Sequence, residues 1–147
     1  MKCVYKLQHK RYIETDSATQ EKVFSSLLLG FFSSKSKCKN MIQYYLQKPG
    51  FNEYPNDFVF EPVYADADDY NDSVGEFDVF VFYLSHEYYN GKYDIISDLG
   101  YYSTRKSAED SLSRYIIENE NKNHPDGFCI DEYKIDNPEW LEGFFTF

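Results

Sequence analysis

The nonapeptide Leu99-Gly100-Tyr101-Tyr102-Ser103-Thr104-Arg105-Lys106-Ser107 has a degenerate twin seventy residues earlier, Leu29-Gly30-Phe31-Phe32-Ser33-Ser34-Lys35-Ser36-Lys37. Each copy ends an apolar run on an aromatic pair and then offers hydroxyl residues, the type that accepts a hydrogen bond from the free backbone N–H groups of a helix start. A chain that repeats a strand-to-helix junction is constrained to build the same local unit twice. The correspondence extends to both sides of the junction. Val4-Tyr5-Lys6-Leu7-Gln8-His9 aligns with Val81-Phe82-Tyr83-Leu84-Ser85-His86, and Pro55-Asn56-Asp57-Phe58 with Pro125-Asp126-Gly127-Phe128. Only the first hairpin differs, being seven residues longer in the first copy.

In chain order, Cys3, Tyr5, Leu7 and His9 alternate with Val4, Lys6 and Gln8, the period of a half-buried strand. Residues 10–22 are polar and read as a long hairpin loop, and residues 23–32 as a second strand. Cys38, Ile42, Tyr45 and Leu46 then form one helical stripe within residues 34–48, stopped by Pro49-Gly50. Residues 58–64 read as a third strand. The second copy repeats the order: a strand over 77–86, a turn at Asn90-Gly91, a strand over 93–102, a helix over 104–119 with the stripe Ala108, Leu112, Tyr115 and Ile116, and a strand over 128–135. The tail that carries Trp140 has no counterpart and is expected to pack back and bury that ring. The expectation is an α+β fold of two strand-strand-helix-strand repeats in a pseudo-twofold relation, with helices packed on antiparallel sheet. Residues 1–64 form repeat one, 65–76 an acidic linker and 77–147 repeat two, sharing one core.

Of 147 residues, 42% are hydrophobic and 20% aromatic, enough for an interior built largely from Phe and Tyr. The net charge of −10 is unevenly spread: +3 over residues 1–64, −6 over 65–78 and −7 over 79–147. Such a field repels nucleic acid and anionic membrane and attracts basic partners. Cys3, Cys38 and Cys129 are widely separated, with no C-x-x-C pair, which disfavours a disulfide framework or a zinc knuckle. No apolar h-region opens the chain and no window approaches a membrane span, so a cytoplasmic location with reduced thiols is expected.

Chemistry is thinly marked. No P-loop, G-x-G-x-x-G or G-x-S-x-G occurs, and neither a cofactor nor a catalytic residue is expected. Asp66, Asp68, Asp69 and Asp72 fail the calcium-loop template, lacking the glycine at its sixth position and the acid at its twelfth. They read as a solvated linker or as a partner-contacting acidic segment. His9 and His86 occupy equivalent positions, each either bonded to a backbone carbonyl or, if brought together, usable as a metal ligand or an acid/base pair. His124, beside Pro125, reads as an exposed turn residue. Lys35, Lys37, Arg105 and Lys106 begin both helices, where the dipole disfavours cations. Ion pairs with acids of a neighbouring strand or turn would account for them, as would a bound phosphate. Asp131, Glu132, Asp136, Glu139 and Glu142 could include a catalytic pair or form a solvated face.

The combination Val81-x-x-Leu84-x-His86, Gly100-Tyr101-Tyr102-Ser103-Thr104, Ala108, Pro125-Asp126-Gly127-Phe128-x-Ile130-Asp131-x-Tyr133 and Trp140-x-Glu142-Gly143-Phe144 resembles a family of small uncharacterised bacterial domains. It covers residues 79–145, with residues 3–64 as a degenerate copy lacking the Trp-containing tail. The family carries no assigned activity, so the resemblance implies fold more than function. A looser resemblance, in size, acidity and absent catalytic motifs, is to immunity proteins of bacterial contact-dependent inhibition and polymorphic toxin systems, an analogy rather than a motif match.

That resemblance implies a non-enzymatic protein that binds a cognate toxin stoichiometrically and occludes its basic surface. The expected contacts are Asp66, Asp68, Asp69, Asp72 and Glu76, with Tyr70, Tyr88 and Tyr89 as aromatic anchors. No nucleic-acid, membrane or metal partner is expected, and the sequence leaves the oligomeric state open. The alternative is a non-catalytic regulatory domain that binds a small molecule or a peptide.

Overall fold

The computed structural model describes residues 1–70, 75–118 and 126–145. The chain runs β1 (Cys3–Thr15), β2 (Lys22–Phe32), α1 (Lys35–Tyr45), a short 3-10 turn (Phe51–Glu53), β3 (Phe58–Tyr64), β4 (Phe80–Tyr89), β5 (Asp94–Tyr102), α2 (Arg105–Glu118) and β6 (Phe128–Lys134). The fold is α+β, with two three-stranded sheets ordered β2-β1-β3 and β5-β4-β6. In each sheet the first strand of its copy is central, and the ladders β1·β2, β4·β5 and β4·β6 are antiparallel. A register shift falls at the same place in both hairpins, between Leu7 and Gln8 and between Leu84 and Ser85. These residues follow the pairings Leu7↔Gly30 and Leu84↔Gly100, so the glycine of the repeated nonapeptide marks the bulge.

The first hairpin is longer in strand than its polar composition suggests. Residues expected to loop out instead extend the ladder, from Lys10↔Ser26 to Thr15↔Lys22. Tyr12, Ile13 and Thr15 are β-formers, and the rings of Tyr12 and Phe24 meet across the strands with centroids 6.0 Å apart. The loop proper is closed by Asp16, whose backbone N–H donates to the Glu21 carbonyl and whose side chain accepts from the Ala18 N–H. In the second hairpin Asn90 plays that part, its side-chain oxygen accepting from the N–H groups of Lys92 and Tyr93 beside Gly91 at φ 98°.

Both helices start where the hydroxyl residues predict. Ser34 Oγ accepts from the Lys37 N–H at 3.2 Å, and Thr104 Oγ1 accepts from the Ser107 N–H at 3.1 Å. Helix α1 ends at Tyr45, three residues short of the expected stop. The expected end of α2 at residue 119 lies outside the described residues, as do His124 and Pro125.

The chain divides into two compact units. One comprises Met1–Cys3 with Val63–Ile135, the other Val4–Pro62 with Asp136–Phe147. The division crosses the chain-order repeats: residues 63–76 group with the second copy, and the C-terminal tail groups with the first. In the tail's unit the core is Leu7, Leu29, Phe32, Cys38, Tyr45 and Phe51, with Phe144 packed against it. In the other the core is Leu84, Tyr102, Ala108 and Tyr115. The helical stripes hold except at Ile116, which is exposed while Ser111 is buried in its stead. Strand β1 also differs from a half-buried strand, since Val4 and Lys6 on its supposed open face are as deeply buried as Leu7 and His9.

Candidate functional site

The acidic stretch after β3 is folded into the unit that contains α2. The Asp66 N–H donates to the Tyr101 carbonyl at 2.9 Å, and its carboxylate accepts from the Ser103 N–H at 2.8 Å and the Ser103 hydroxyl at 2.7 Å. Asp68 Oδ2 accepts from the Tyr102 hydroxyl at 2.6 Å and the Ser111 hydroxyl at 2.8 Å, while its Oδ1 accepts from the Tyr70 N–H. Asp69 accepts from the Tyr115 hydroxyl at 3.3 Å, and the Tyr70 ring packs edge-on to Tyr115 at 4.9 Å. The Gly75 N–H closes the segment on the Ala65 carbonyl. Of the residues expected to meet a partner, Asp66, Asp68, Asp69 and Tyr70 therefore make these contacts within the unit. Asp72 lies outside the described residues. Glu76 and Tyr89 are exposed, Tyr88 is half-buried against His86, and Tyr88 and Tyr89 stand on β4 far along the chain from the other group.

The same device occurs in the other unit, where sequence reasoning missed it. The Asp136 N–H donates to the Phe31 carbonyl at 2.8 Å, and its carboxylate accepts from the Ser33 N–H and hydroxyl, both at 2.8 Å. Asp66 and Asp136 share a positive φ, 61° and 64°. Each presents a carboxylate to the start of a helix, where free N–H groups and the dipole favour an anion. The available signal was the pair Ala65-Asp66 and Ile135-Asp136, separated by the same seventy residues as the nonapeptides. In each case the aspartate follows the last strand of one repeat and serves the helix of the other.

Three of the four cations at the helix starts are ion-paired. Lys37 Nζ lies 2.8 Å from Asp136, and Arg105 lies 3.7 Å from Glu132 on β6. Lys106 pairs with Asp110 one turn on. Lys35 and Arg105, at equivalent positions, stand over the rings of Tyr5 and Phe82. His9 Nε2 lies 3.0 Å from the Tyr54 carbonyl and His86 Nε2 3.1 Å from the Asp126 carbonyl, so each histidine bonds to a backbone carbonyl, the first of the roles expected from sequence.

Titration behaviour follows from these surroundings. Burial, reinforced by Asp68, pushes the Tyr102 phenol far up, and burial pushes Tyr115 up to about 12, so both remain protonated donors at neutral pH. Burial, with the Asp136 charge added, raises Cys38 to about 11, and burial with Asp131 raises Cys129. None of these groups is poised as a nucleophile or general base. Among the described residues, no group of three or more His, Cys, Asp or Glu side chains is placed to hold a metal ion.

A cleft of about 550 Å³ opens in the unit formed by Val4–Pro62 and Asp136–Phe147. Its lining combines His9, Arg11, Ser25 and Leu27 of the β1–β2 hairpin with Trp140, Gly143, Phe144 and Phe145 of the tail. The tail does pack back, as expected. The Leu29 carbonyl accepts from the Glu139 N–H, the Pro49 carbonyl accepts from the Phe144 N–H, and the Tyr45 hydroxyl donates to the Glu139 carbonyl. Phe144, however, is the ring it packs against the core, partly buried beside His9 and Phe51 with centroids 5.6 and 4.9 Å away. Trp140 stays 47% exposed, at a positive φ of 57°, and lines the cleft instead. No helix among the described residues is long and apolar enough to cross a membrane. The chain matches no protein-family model, no curated protein and no solved structure.

Proposed function

We propose that this chain is a non-catalytic, stoichiometric protein-binding module of the immunity type, which neutralises a basic bacterial toxin by covering it. The observation that carries this reading is the segregation of charge by structural unit. Met1–Cys3 with Val63–Ile135 hold seven Lys/Arg against sixteen Asp/Glu, a net −9, which leaves −1 for the rest of the chain. An acidic unit of this kind steers a basic partner toward itself and makes association fast and salt-sensitive. The internal duplication belongs to the same proposal: the first copy, residues 1–64, carries +3, while residues 79–147 carry −7.

The contact surface in this reading moves from the linker acids to the end of the β4–β5 hairpin. There Tyr89, 62% exposed, pairs with Asp94 across the strands, and Glu87 pairs with the exposed Ile96. An exposed aromatic ringed by acids has the composition of an interface anchor. The test is growth with the chain co-expressed beside the product of the adjacent reading frame, followed by pull-down at low and high salt. Rescue by the native chain, a complex weakened by salt, and loss of both in Tyr89→Ala combined with Asp94→Lys are the expected results. A harmless neighbour, or one that does not bind, overturns the reading. A second reading, a non-catalytic domain that binds a small molecule or peptide, is supported by the aromatic cleft beside His9.

A further inference from the structure

The cleft described above has the attributes of a ligand site rather than of a packing defect. Its volume of about 550 Å³ falls within the range of about 300–1,000 Å³ usual for small-molecule sites. Its walls are apolar and aromatic, and Trp140 and Phe145 remain 47% and 75% exposed on them. An exposed tryptophan held at positive φ is a costly arrangement for a bulky residue, of the kind retained where a side chain must point at something. The turn that aims it is fixed: Gly143 at φ 87° lies so close to the Pro49 carbonyl that a Cβ there would collide with it.

One cation serves this aromatic cleft. Arg11 Nη1 donates to the Tyr54 hydroxyl at 3.3 Å, and the guanidinium stands over the Tyr54 ring at 5.0 Å, which holds the fork in place. Among the described residues no carboxylate lies within ion-pair distance of Arg11. His9, on the floor, is 1% exposed, and its Nε2 is engaged by the Tyr54 carbonyl. The cleft therefore offers a single, pre-oriented, planar two-donor group beside flat apolar walls. That geometry matches the two coplanar oxygens of a carboxylate. A phosphate dianion would call for more donors than one guanidinium.

We propose that the cleft binds a small aromatic carboxylate, with the carboxylate on Arg11 and the ring against Trp140 and Phe145. The inference rests on the second reading above, that the chain binds a small ligand, and adds the class of ligand. Because Trp140 is the chain's only tryptophan, its fluorescence reports on this cleft alone.

The experiment titrates the full chain with hydrocinnamate and with its neutral analogue hydrocinnamamide, under selective tryptophan excitation, and repeats both titrations on Arg11→Gln. A saturable change with the acid is expected, with the amide binding at least about tenfold more weakly, because it forgoes the charge-assisted pair. Arg11→Gln is expected to weaken the acid by a similar factor and leave the amide unchanged, which also shows that the variant is folded. Equal binding of acid and amide, or acid binding that survives Arg11→Gln, overturns the ligand class while leaving a small-ligand site standing. Absence of any saturable change with either probe overturns the site itself, and with it the second reading.

Discussion

Replacing Asp68 with alanine separates an internal role for the acidic stretch from a partner-binding one. The Asp68 carboxylate is the acceptor for two hydroxyls, those of Tyr102 and Ser111, which are 1% and 7% exposed. Without it, each hydroxyl is left in a largely dry site lacking its acceptor, at about 1–3 kcal/mol apiece. The midpoint for two is about 4 kcal/mol, and entry of one water at the half-exposed edge of the site lowers this to about 3 kcal/mol. For a chain of this length that corresponds to a fall in Tm of about 9 °C.

The assay is urea unfolding followed by far-UV circular dichroism, because Trp140 belongs to the other unit and reports on the wrong place. The decisive control is the same substitution in a Tyr102→Phe, Ser111→Ala background, where both donors are already absent. There Asp68→Ala should cost under about 1 kcal/mol, the difference being the coupling through the hydroxyls. A cost below about 0.5 kcal/mol in the native background, or an equal cost in both, refutes the network. Unchanged stability together with a lost complex would return Asp68 to the interface.

Two further outcomes test how the helix starts and the tail are held. The Asp136 carboxyl is held below its ordinary 3.8: burial alone would raise it, but hydrogen bonds from Lys37 Nζ and from the Ser33 N–H and hydroxyl outweigh that. The unfolded chain therefore binds the proton at higher pH than the folded one, so the contribution is complete above 3.8 and is lost as pH falls through the lowered folded value. NMR titration of the Asp136 carboxyl should give that lowered midpoint in the native chain and a return toward 3.8 in Lys37→Met. Gly50 and Gly91 both have positive φ, 80° and 98°, but a Cβ on Gly50 meets the Phe144 carbonyl and ring while one on Gly91 meets nothing. Gly91→Ala should cost about 1 kcal/mol of backbone strain, and Gly50→Ala clearly more in urea unfolding, with the tail undocked. Equal costs would show that the tail does not bear on Gly50.

What could be read in advance was governed by neighbours in sequence. The hydroxyls at Ser34 and Thr104 predict the helix starts because a cap is decided within three residues, and Asn90-Gly91 predicts its turn for the same reason. Residues 10–15 form strand despite their polarity because β-propensity outweighs it in a hairpin arm that faces solvent. Ile116 and Ser111 exchanged places because Asp68 supplies Ser111 with an acceptor, and periodicity alone carries no information about a residue forty-three positions away.

The sequence by itself determined the two copies, the order of their elements and the charge imbalance, all of which follow from local pattern or from counting. Only the tertiary structure decided that Asp66 serves α2 and Asp136 serves α1, that Phe144 rather than Trp140 packs against the core, and that Arg11 meets the tail across a cleft. Those outcomes depend on the path of the chain after each third strand. Two aspartates in like local sequence fit either helix start equally well, and the choice between them is made by how the connections run in space.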